Sequence, residues 1–161
     1  MTTAKKTAVK KVVKSTKVKK VAHSAEGMEL PTGQYTYALG RRKRAIAKVK
    51  LWLTGTGVIT VNGKPSNVYF TTYDLREILT DALKVVGHDG DVTVFAETLG
   101  GGTRGQAEAI RLGISRALIK INPEFRKSLK KLGYLMRDPR EKERKHYGFK
   151  RARKGSQWAK R

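Results

Sequence analysis

The chain has 161 residues, of which 36 are Lys or Arg and 13 are Asp or Glu, so its formal net charge at pH 7 is +23. A chain of this length in which 39% of the residues are hydrophobic can build one modest core but not two large ones. The absence of Cys excludes disulfides, thiolate metal sites and cysteine nucleophiles, the three His residues are too scattered for a metal cluster, and no apolar stretch is long enough to span a membrane.

Residues 1–33 form a Lys-rich segment without Arg and without any acid before Glu26. Such a composition cannot offset the entropy lost on ordering, so we predict an N-terminal extension that is disordered when free. A solubilising tail and a mitochondrial transit peptide are alternatives, and the lack of Arg disfavours the second. No apolar segment follows the first basic residues, as a secretory signal would require.

Alternation of apolar and polar residues predicts two strands, over residues 34–39 and 45–53. The second strand has an apolar face that ends at Leu53. Its opposite face is basic and partly aromatic and carries Lys48, Lys50 and Trp52.

Turn signals follow this pair of strands. Residues 58–61 form a short β-branched strand, and Asn62-Gly63 is typical of a tight hairpin turn. We expect these pieces to form an antiparallel meander with the first two strands.

The remaining periodicity predicts helices packed on the sheet, so residues 34–133 are expected to form one α+β core. These further elements are a helix from Thr71 or Thr72 to Gly87, a strand over residues 91–98, a glycine-rich turn over 100–106, a helix over 107–119 and a short helix after Asn122-Pro123.

Residues 134–161 form a second basic segment, in which cations are interleaved with Tyr147, Phe149 and Trp158. These aromatic residues are too far apart to bury against one another, so they are free to stack on bases or riboses. We predict an extended C-terminal tail. Residues 1–50 carry a net charge of +12, residues 51–119 carry −1 and residues 120–161 carry +12, so both ends are predicted to bind a polyanion.

The glycine-rich turn is the one candidate for a phosphate loop in the sequence. Glycines at a helix N-terminus present free N–H groups and a favourable dipole to an anion. Gln106 and Ala107 replace the Lys and hydroxyl residue of a nucleotide-hydrolysing loop, which argues against a kinase-like or hydrolysing enzyme. Two interpretations stay open, a tight turn that lets the helix pack closely on the sheet and a grip on a nucleic-acid phosphate assisted by Arg104. No paired carboxylates or Ser, His and Asp arrangement stands out, so we expect no enzyme.

Four consecutive cations, residues 41–44, occupy the predicted connection between the first two strands. Together with Lys48 and Lys50 they would line a groove that follows a phosphate backbone, and a solvated loop is the alternative. A DNA-compacting protein would explain the charge equally well, but no recognition helix signature or zinc motif accompanies it.

Several motifs occur in a fixed order: LGRRKRAIAKV at residues 39–49, VNGKP at 61–65, GGGTRGQAEAIR at 100–111, and RDPREKERK at 137–145 followed by QWAKR at 157–161. Over about residues 34–161 the chain resembles the universal small-subunit ribosomal protein nine family of the bacterial type. The resemblance implies a mixed sheet like that of the second domain of ribosomal protein five. It also implies a structural constituent of the small-subunit head, without cofactor, metal or catalytic residues.

The resemblance further implies the partners. They are the 3′ major domain of the small-subunit rRNA, neighbouring head proteins and the peptidyl-site tRNA, with no membrane, in a cytoplasmic rather than an organellar ribosome. The end of the tail, Lys160 and Arg161, is expected to contact the tRNA. The residues expected to bind rRNA are Arg41, Arg42, Lys43, Arg44, Lys48, Lys50, Gly101, Gly102, Arg104, Arg137, Arg140, Arg144, Lys145, Lys150, Arg151, Arg153 and Lys154.

Two features depart from the pattern of that family. The family commonly ends in an aromatic residue, Ser, Lys and Arg, whereas this chain has Trp158 and Ala159 before its last two cations. A Ser hydroxyl contact would be missing here, while stacking by the aromatic ring would survive. The Lys-rich stretch before about Glu29 lies outside the matching motifs, so the resemblance implies nothing about it.

Overall fold

A computed structural model of the chain describes residues 31–53 and 55–160. Nearly all of the predicted N-terminal extension, and the predicted tRNA contact Arg161, lie outside these residues. From residue 132 to residue 160 the chain forms turns and irregular structure. Within the described part, no helix is long and apolar enough to cross a membrane. The elements are β1 (Thr36–Arg42), β2 (Ala45–Trp52), β3 (Ile59–Val61), β4 (Lys64–Pro65), α1 (Ser66–Tyr69), α2 (Tyr73–Val86), β5 (Thr93–Leu99), α3 (Thr103–Ile121) and α4 (Phe125–Lys131).

The five strands form one mixed sheet in the order β1-β2-β5-β3-β4, which confirms the predicted fold class. β1 and β2 are antiparallel, as are β2 and β5, whereas β3 runs parallel to β5. The predicted meander is therefore wrong beyond β2, because β5 is inserted between β2 and β3. β5 is buried along most of its length and needs a partner on each side, and the helical connection after β4 allows the parallel pairing.

Local signals placed α2 and the turn after β3 correctly. Thr72 precedes α2 with an extended backbone, and Gly87 ends it in the left-handed conformation with a φ of 76°. Asn62 and Gly63 have φ values of 49° and 77°, which is the pair of positive angles that a two-residue hairpin turn requires.

The predicted faces of β2 hold except at its end. Ala45, Ala47, Val49 and Leu51 are buried, but Leu53 is 48% exposed and Trp52 is only 5% exposed. β2 ends at Trp52, so alternation stops there, and the Trp52 ring packs against Tyr35 with 5.5 Å between ring centroids.

α3 lies unusually close to the sheet because both surfaces carry glycine. A Cβ atom on Gly40 would lie 1.8 Å from the carbonyl oxygen of Ala109, and one on Gly113 would lie 2.5 Å from Cγ2 of Val49. Buried alanines in α3 continue this contact. Close packing of α3 on β1 and β2 fixes where the start of α3 stands relative to the β1–β2 turn.

The free edge of β1 is occupied by cations from α3. Arg116 donates a hydrogen bond of 2.7 Å to the carbonyl oxygen of Leu39, and Lys120 donates one of 2.6 Å to that of Tyr37. These two side chains therefore supply hydrogen-bond donors to two carbonyl oxygens of β1 that have no neighbouring strand on that side.

Candidate nucleic-acid interface

The basic turn, residues 41–44, separates into exposed and inward-pointing cations. Arg42 pairs with Ala45 in the sheet register, which leaves Lys43 and Arg44 as a two-residue loop, and Lys43 takes a left-handed φ of 49°. Arg41, Lys43 and Arg44 are exposed, and the Arg44 side chain is 85% exposed although it lies 3.2 Å from Glu141. Three of the four cations are thus presented to solvent, at the end of the sheet where α3 begins.

Arg42 points inward and ties three parts of the chain together. Its Nε donates to Glu108 on α3, and its Nη2 lies 2.9 Å from a carboxylate oxygen of Asp138 at the root of the tail. Its Nη1 donates to the carbonyl oxygens of Asp138 and Arg140, at 3.1 and 2.8 Å. A guanidinium group has five N–H donors, so nearly all of them are used inside the protein. We call this cluster of Arg42, Glu108 and Asp138 the tail clamp.

Both carboxylates of the tail clamp are held in the ionised form. Burial raises the pKa of Glu108, but hydrogen bonds from Arg42 and Arg104 outweigh it, so the net pKa lies below the usual value. Hydrogen bonds from the side chain and the backbone N–H of Arg140 lower the pKa of Asp138 to about 2. The clamp is therefore fully charged at neutral pH.

The glycine-rich turn packs directly on the basic turn. Gly100 and Gly101 have φ values of 71° and 69°, and a Cβ atom on Gly101 would lie 2.9 Å from Cβ of Ala45. Gly102 caps α3 and is exposed, and apart from its chain neighbours no described residue lies within 4 Å of where its Cβ would be. Both interpretations of the turn find support, since Gly101 serves close packing while Gly102 leaves the start of α3 open to an anion.

Several side chains form a hydrogen-bond network that supports the glycine-rich turn. The sequence patterns did not predict this network. The Asn62 side chain accepts from the backbone N–H of Thr98 at 2.7 Å and donates to the Thr98 carbonyl oxygen at 3.1 Å, so it pairs with β5 as another strand residue would. Tyr69 donates to Gln106 at 2.9 Å, and Gln106 donates to the carbonyl oxygen of Gly100 at 3.2 Å. The VNGKP motif thus has a structural role in holding the turn.

A groove of about 910 Å³ lies between the basic turn, the first turns of α3 and the tail root. Arg104 borders it with a 76% exposed side chain, 3.2 Å from Glu108. Arg111 stacks over the Tyr134 ring at 4.5 Å from its centroid, which gives the wall a flat cationic and aromatic element that the sequence pattern did not reveal. Cations outnumber carboxylates in the lining, with Arg41, Arg42, Lys43, Arg104, Arg111, Arg140 and Lys142 against Glu108, Asp138 and Glu141.

Lys48 and Lys50 lie on a different surface from this groove. Val49 faces α3, so its neighbours on the strand face the opposite side of the sheet. Lys48 is exposed there. Lys50 is half-buried, 3.6 Å from Glu97 and 5.4 Å from the centre of the Phe95 ring. The predicted single groove that joins these two lysines to the basic turn is therefore split over two faces.

The tail presents most of its cations and aromatic rings to solvent. Tyr147 and Trp158 are almost fully exposed, and Phe149 is 41% exposed. Glu143 forms an ion pair with Arg153 at 2.8 Å and lies 3.2 Å from Nε2 of His146, so a short stretch of the tail folds back on itself. The predicted contacts that are exposed in the tail are Arg137, Arg140, Arg144, Lys145, Lys150, Arg151, Arg153, Lys154 and Lys160.

The described residues contain no group of three or more His, Asp or Glu side chains that could hold a metal ion. What the geometry offers instead is a cationic groove, an open helix start and an exposed tail with stackable rings. This combination suits a single-stranded or irregularly folded RNA, whose phosphates and unstacked bases are both accessible.

Comparison with known proteins gives a consistent result. A family profile described as Ribosomal protein S9/S16 matches residues 40–161. Proteins called small ribosomal subunit protein uS9 match most of the chain. The one from Anaeromyxobacter sp. (strain K) is 49% identical over 128 residues, 80% of this chain and 98% of that protein. The one from Maridesulfovibrio salexigens is 50% identical over 127 residues, covering 79% and 97%, and the one from Synechocystis sp. is 46% identical over 126 residues, covering 78% and 91%.

Proposed function

The chain belongs to the ribosomal protein S9/S16 family, and from this premise we propose that it binds small-subunit rRNA in the subunit head and reaches the peptidyl-site tRNA with its tail. It is a constituent of the small ribosomal subunit, and the family is structural and non-enzymatic, which agrees with the expected absence of catalysis. The relatives are bacterial, and this supports a bacterial cytoplasmic ribosome as the location.

The observation that carries the proposal is the cationic groove beside the open start of α3. Arg41, Lys43 and Arg104 are exposed at its border. Arg104 contacts Glu108 through Nε alone, whereas Arg42 uses Nε, Nη1 and Nη2 inside the protein. rRNA phosphates would pair with the three exposed side chains and with the free N–H groups of the first turn of α3, after Gly102. Counterions released from the RNA would favour binding. Lys48 and Lys50 would meet a second RNA segment across the sheet.

The tail clamp gives the tail a fixed starting point. Asp138 is held to the core, and the 23 residues after it could span up to roughly 75 Å when extended. Exposed cations along this length would neutralise rRNA phosphates, and Tyr147, Phe149 and Trp158 would stack on bases or riboses. Lys160 and Arg161 would then be the tRNA contacts.

Sedimentation of a native lysate on sucrose gradients at low and at high salt tests the rRNA part. We expect the protein to migrate with small subunits under both conditions. Migration with DNA, or at the top of the gradient at low salt, would refute it.

Removal of Lys160 and Arg161 tests the tRNA part. We expect normal subunit assembly and weaker tRNA binding at the peptidyl site, because only the tail tip is lost. A variant with Lys127→Ala and Lys131→Ala, which removes the same charge from the exposed face of α4, serves as the control. Unchanged tRNA affinity in the truncated protein would contradict the assignment.

A further inference from the structure

A second groove, of about 550 Å³, lies on the other side of the tail root, between α3 and α4. Its size falls within the roughly 300–1,000 Å³ of pockets that bind ligands. None of the proposed RNA or tRNA contacts that the structure describes lines it. Its lining residues are Arg116, Ile119, Lys120, Arg126, Lys130, Gly133, Leu135 and Met136.

The floor of this groove is aliphatic. Ile119 and Leu135 are half-buried and pack against the core, while Met136 is 77% exposed. Among the described residues no aromatic ring lines the groove, so they offer no stacking platform for a base. A flexible, polarisable Met side chain at a surface is well suited to contact aliphatic side chains of a partner.

The rim of the groove is entirely cationic. Arg116 and Lys120 are held in place by their hydrogen bonds to Leu39 and Tyr37, and each keeps further donors free. Arg126 and Lys130 are exposed and lie one turn apart on α4. The described residues that line the groove include no Asp or Glu.

We propose that this groove binds a polypeptide segment of a neighbouring small-subunit protein, one that carries aliphatic side chains flanked by carboxylates. The aliphatic residues contact Met136 and Leu135, and the carboxylates pair with the cations on both rims. This is the arrangement by which an amphipathic segment docks in a helical groove. The phosphates of an RNA strand would pair with the cations of the rim, but RNA has no aliphatic surface to contact the floor. The cationic rim and the aliphatic floor together therefore favour a polypeptide. The inference rests on the proposed place of the protein in the small subunit.

The chain contains no Cys, so a single one introduced by Ile119→Cys can carry a cysteine-reactive photocrosslinker. Ile119 lines the second groove and not the first, whereas Met136 borders both. The variant is incorporated into small subunits, the subunits are purified and irradiated, and the crosslinked peptides are sequenced by mass spectrometry. We expect a crosslink to a protein segment that contains both aliphatic and acidic residues. A crosslink to rRNA, to a segment without acids, or to nothing would overturn the inference.

A pair of charge reversals gives the matched control. In the Ile119→Cys background, Arg126→Glu with Lys130→Glu should reduce the crosslink several-fold. Lys127→Glu with Lys131→Glu changes the same charge on the same short helix but does not line the groove, and should leave the crosslink unchanged. Equal yields from both pairs would also overturn the inference. If the labelled protein never entered small subunits, the proposed function itself would fail, and the gradient reveals this before irradiation.

Discussion

Arg42 and Arg44 are two residues apart and both belong to the basic turn, yet the structure assigns them opposite roles. The side chain of Arg42 is 12% exposed and anchors the tail clamp, whereas that of Arg44 is 85% exposed with one surface partner. Substituting each with Ala removes the same charge and a similar volume. The pair therefore separates a structural arginine from a candidate phosphate contact.

The expected loss of stability follows from what each substitution leaves behind. Arg42→Ala deprives Glu108, whose side chain is 19% exposed, of its buried partner and leaves it with only the exposed Arg104. A lost hydrogen bond between charged, partly buried groups costs about 2–3 kcal/mol. For a domain of about 100 residues this corresponds to a fall in Tm of about 10–20 °C. Arg44→Ala removes an exposed ion pair and should cost less than about 1 kcal/mol.

Two assays distinguish the roles. Thermal unfolding of the RNA-free protein, followed by circular dichroism, should show the large fall in Tm for Arg42→Ala alone. Binding to an rRNA fragment over a range of salt concentrations, well below either Tm, should show a salt slope reduced by about one for Arg44→Ala alone. If Arg42→Ala kept its Tm and lost salt dependence to the same extent as Arg44→Ala, the clamp would be refuted and Arg42 would be an RNA contact.

Gly40→Ala should destabilise the fold severely because its Cβ would lie 1.8 Å from the Ala109 carbonyl oxygen, and thermal unfolding measures this loss. Gly102→Ala lies at an open position, so its Tm should stay within a few degrees while filter binding shows weaker RNA binding. The pKa of Asp138 is lowered from 3.8 to about 2, so its contribution to stability is complete above about pH 4 and is lost as the pH falls through about 2. The Tm difference between the unmodified protein and Asp138→Asn should therefore shrink as the pH falls from about 4 to about 2. A constant difference down to pH 2 would contradict the ion pairs of Asp138 with Arg140 and Arg42. Asn62→Gly keeps the positive φ but loses the hydrogen bonds to β5, so the free energy of unfolding measured with urea should fall by about 1–3 kcal/mol. An unchanged free energy of unfolding would argue against that pairing.

Much of the fold was predictable because local periodicity governs it. The alternation in β2 and the helical spacing of α2 each reflect one buried face, and Gly87 ends its helix for a reason visible in the residue itself. The position of β3 was not predictable in this way. Three residues of β-branched character are equally compatible with a place beside β2 or beside β5, and the burial of β5 decides between them.

The site shows the same division. Composition correctly indicated which segments are basic, and the motifs resembled the family that the comparisons confirmed. The sequence could not distinguish Arg42 from the neighbouring cations, because the partners of Arg42, Glu108 and Asp138, are 66 and 96 residues away along the chain. The second groove was not predictable for a related reason, since its rim combines cations from the C-terminal half of α3 with cations from α4.

Arg116 and Lys120 donate hydrogen bonds to the edge of β1, and this affects how prone the protein is to aggregate before it joins its subunit. An uncovered edge strand is a template on which another chain can add a strand, and this is a common route to aggregation. Here long charged side chains occupy two acceptors of β1, the carbonyl oxygens of Tyr37 and Leu39, and the opposite edge, β4, is only two residues long. Both features disfavour strand pairing between newly made copies before RNA binds. Since the same two cations also line the second groove, a substitution meant to probe docking there would expose the sheet edge as well, which is why the charge reversals belong on α4.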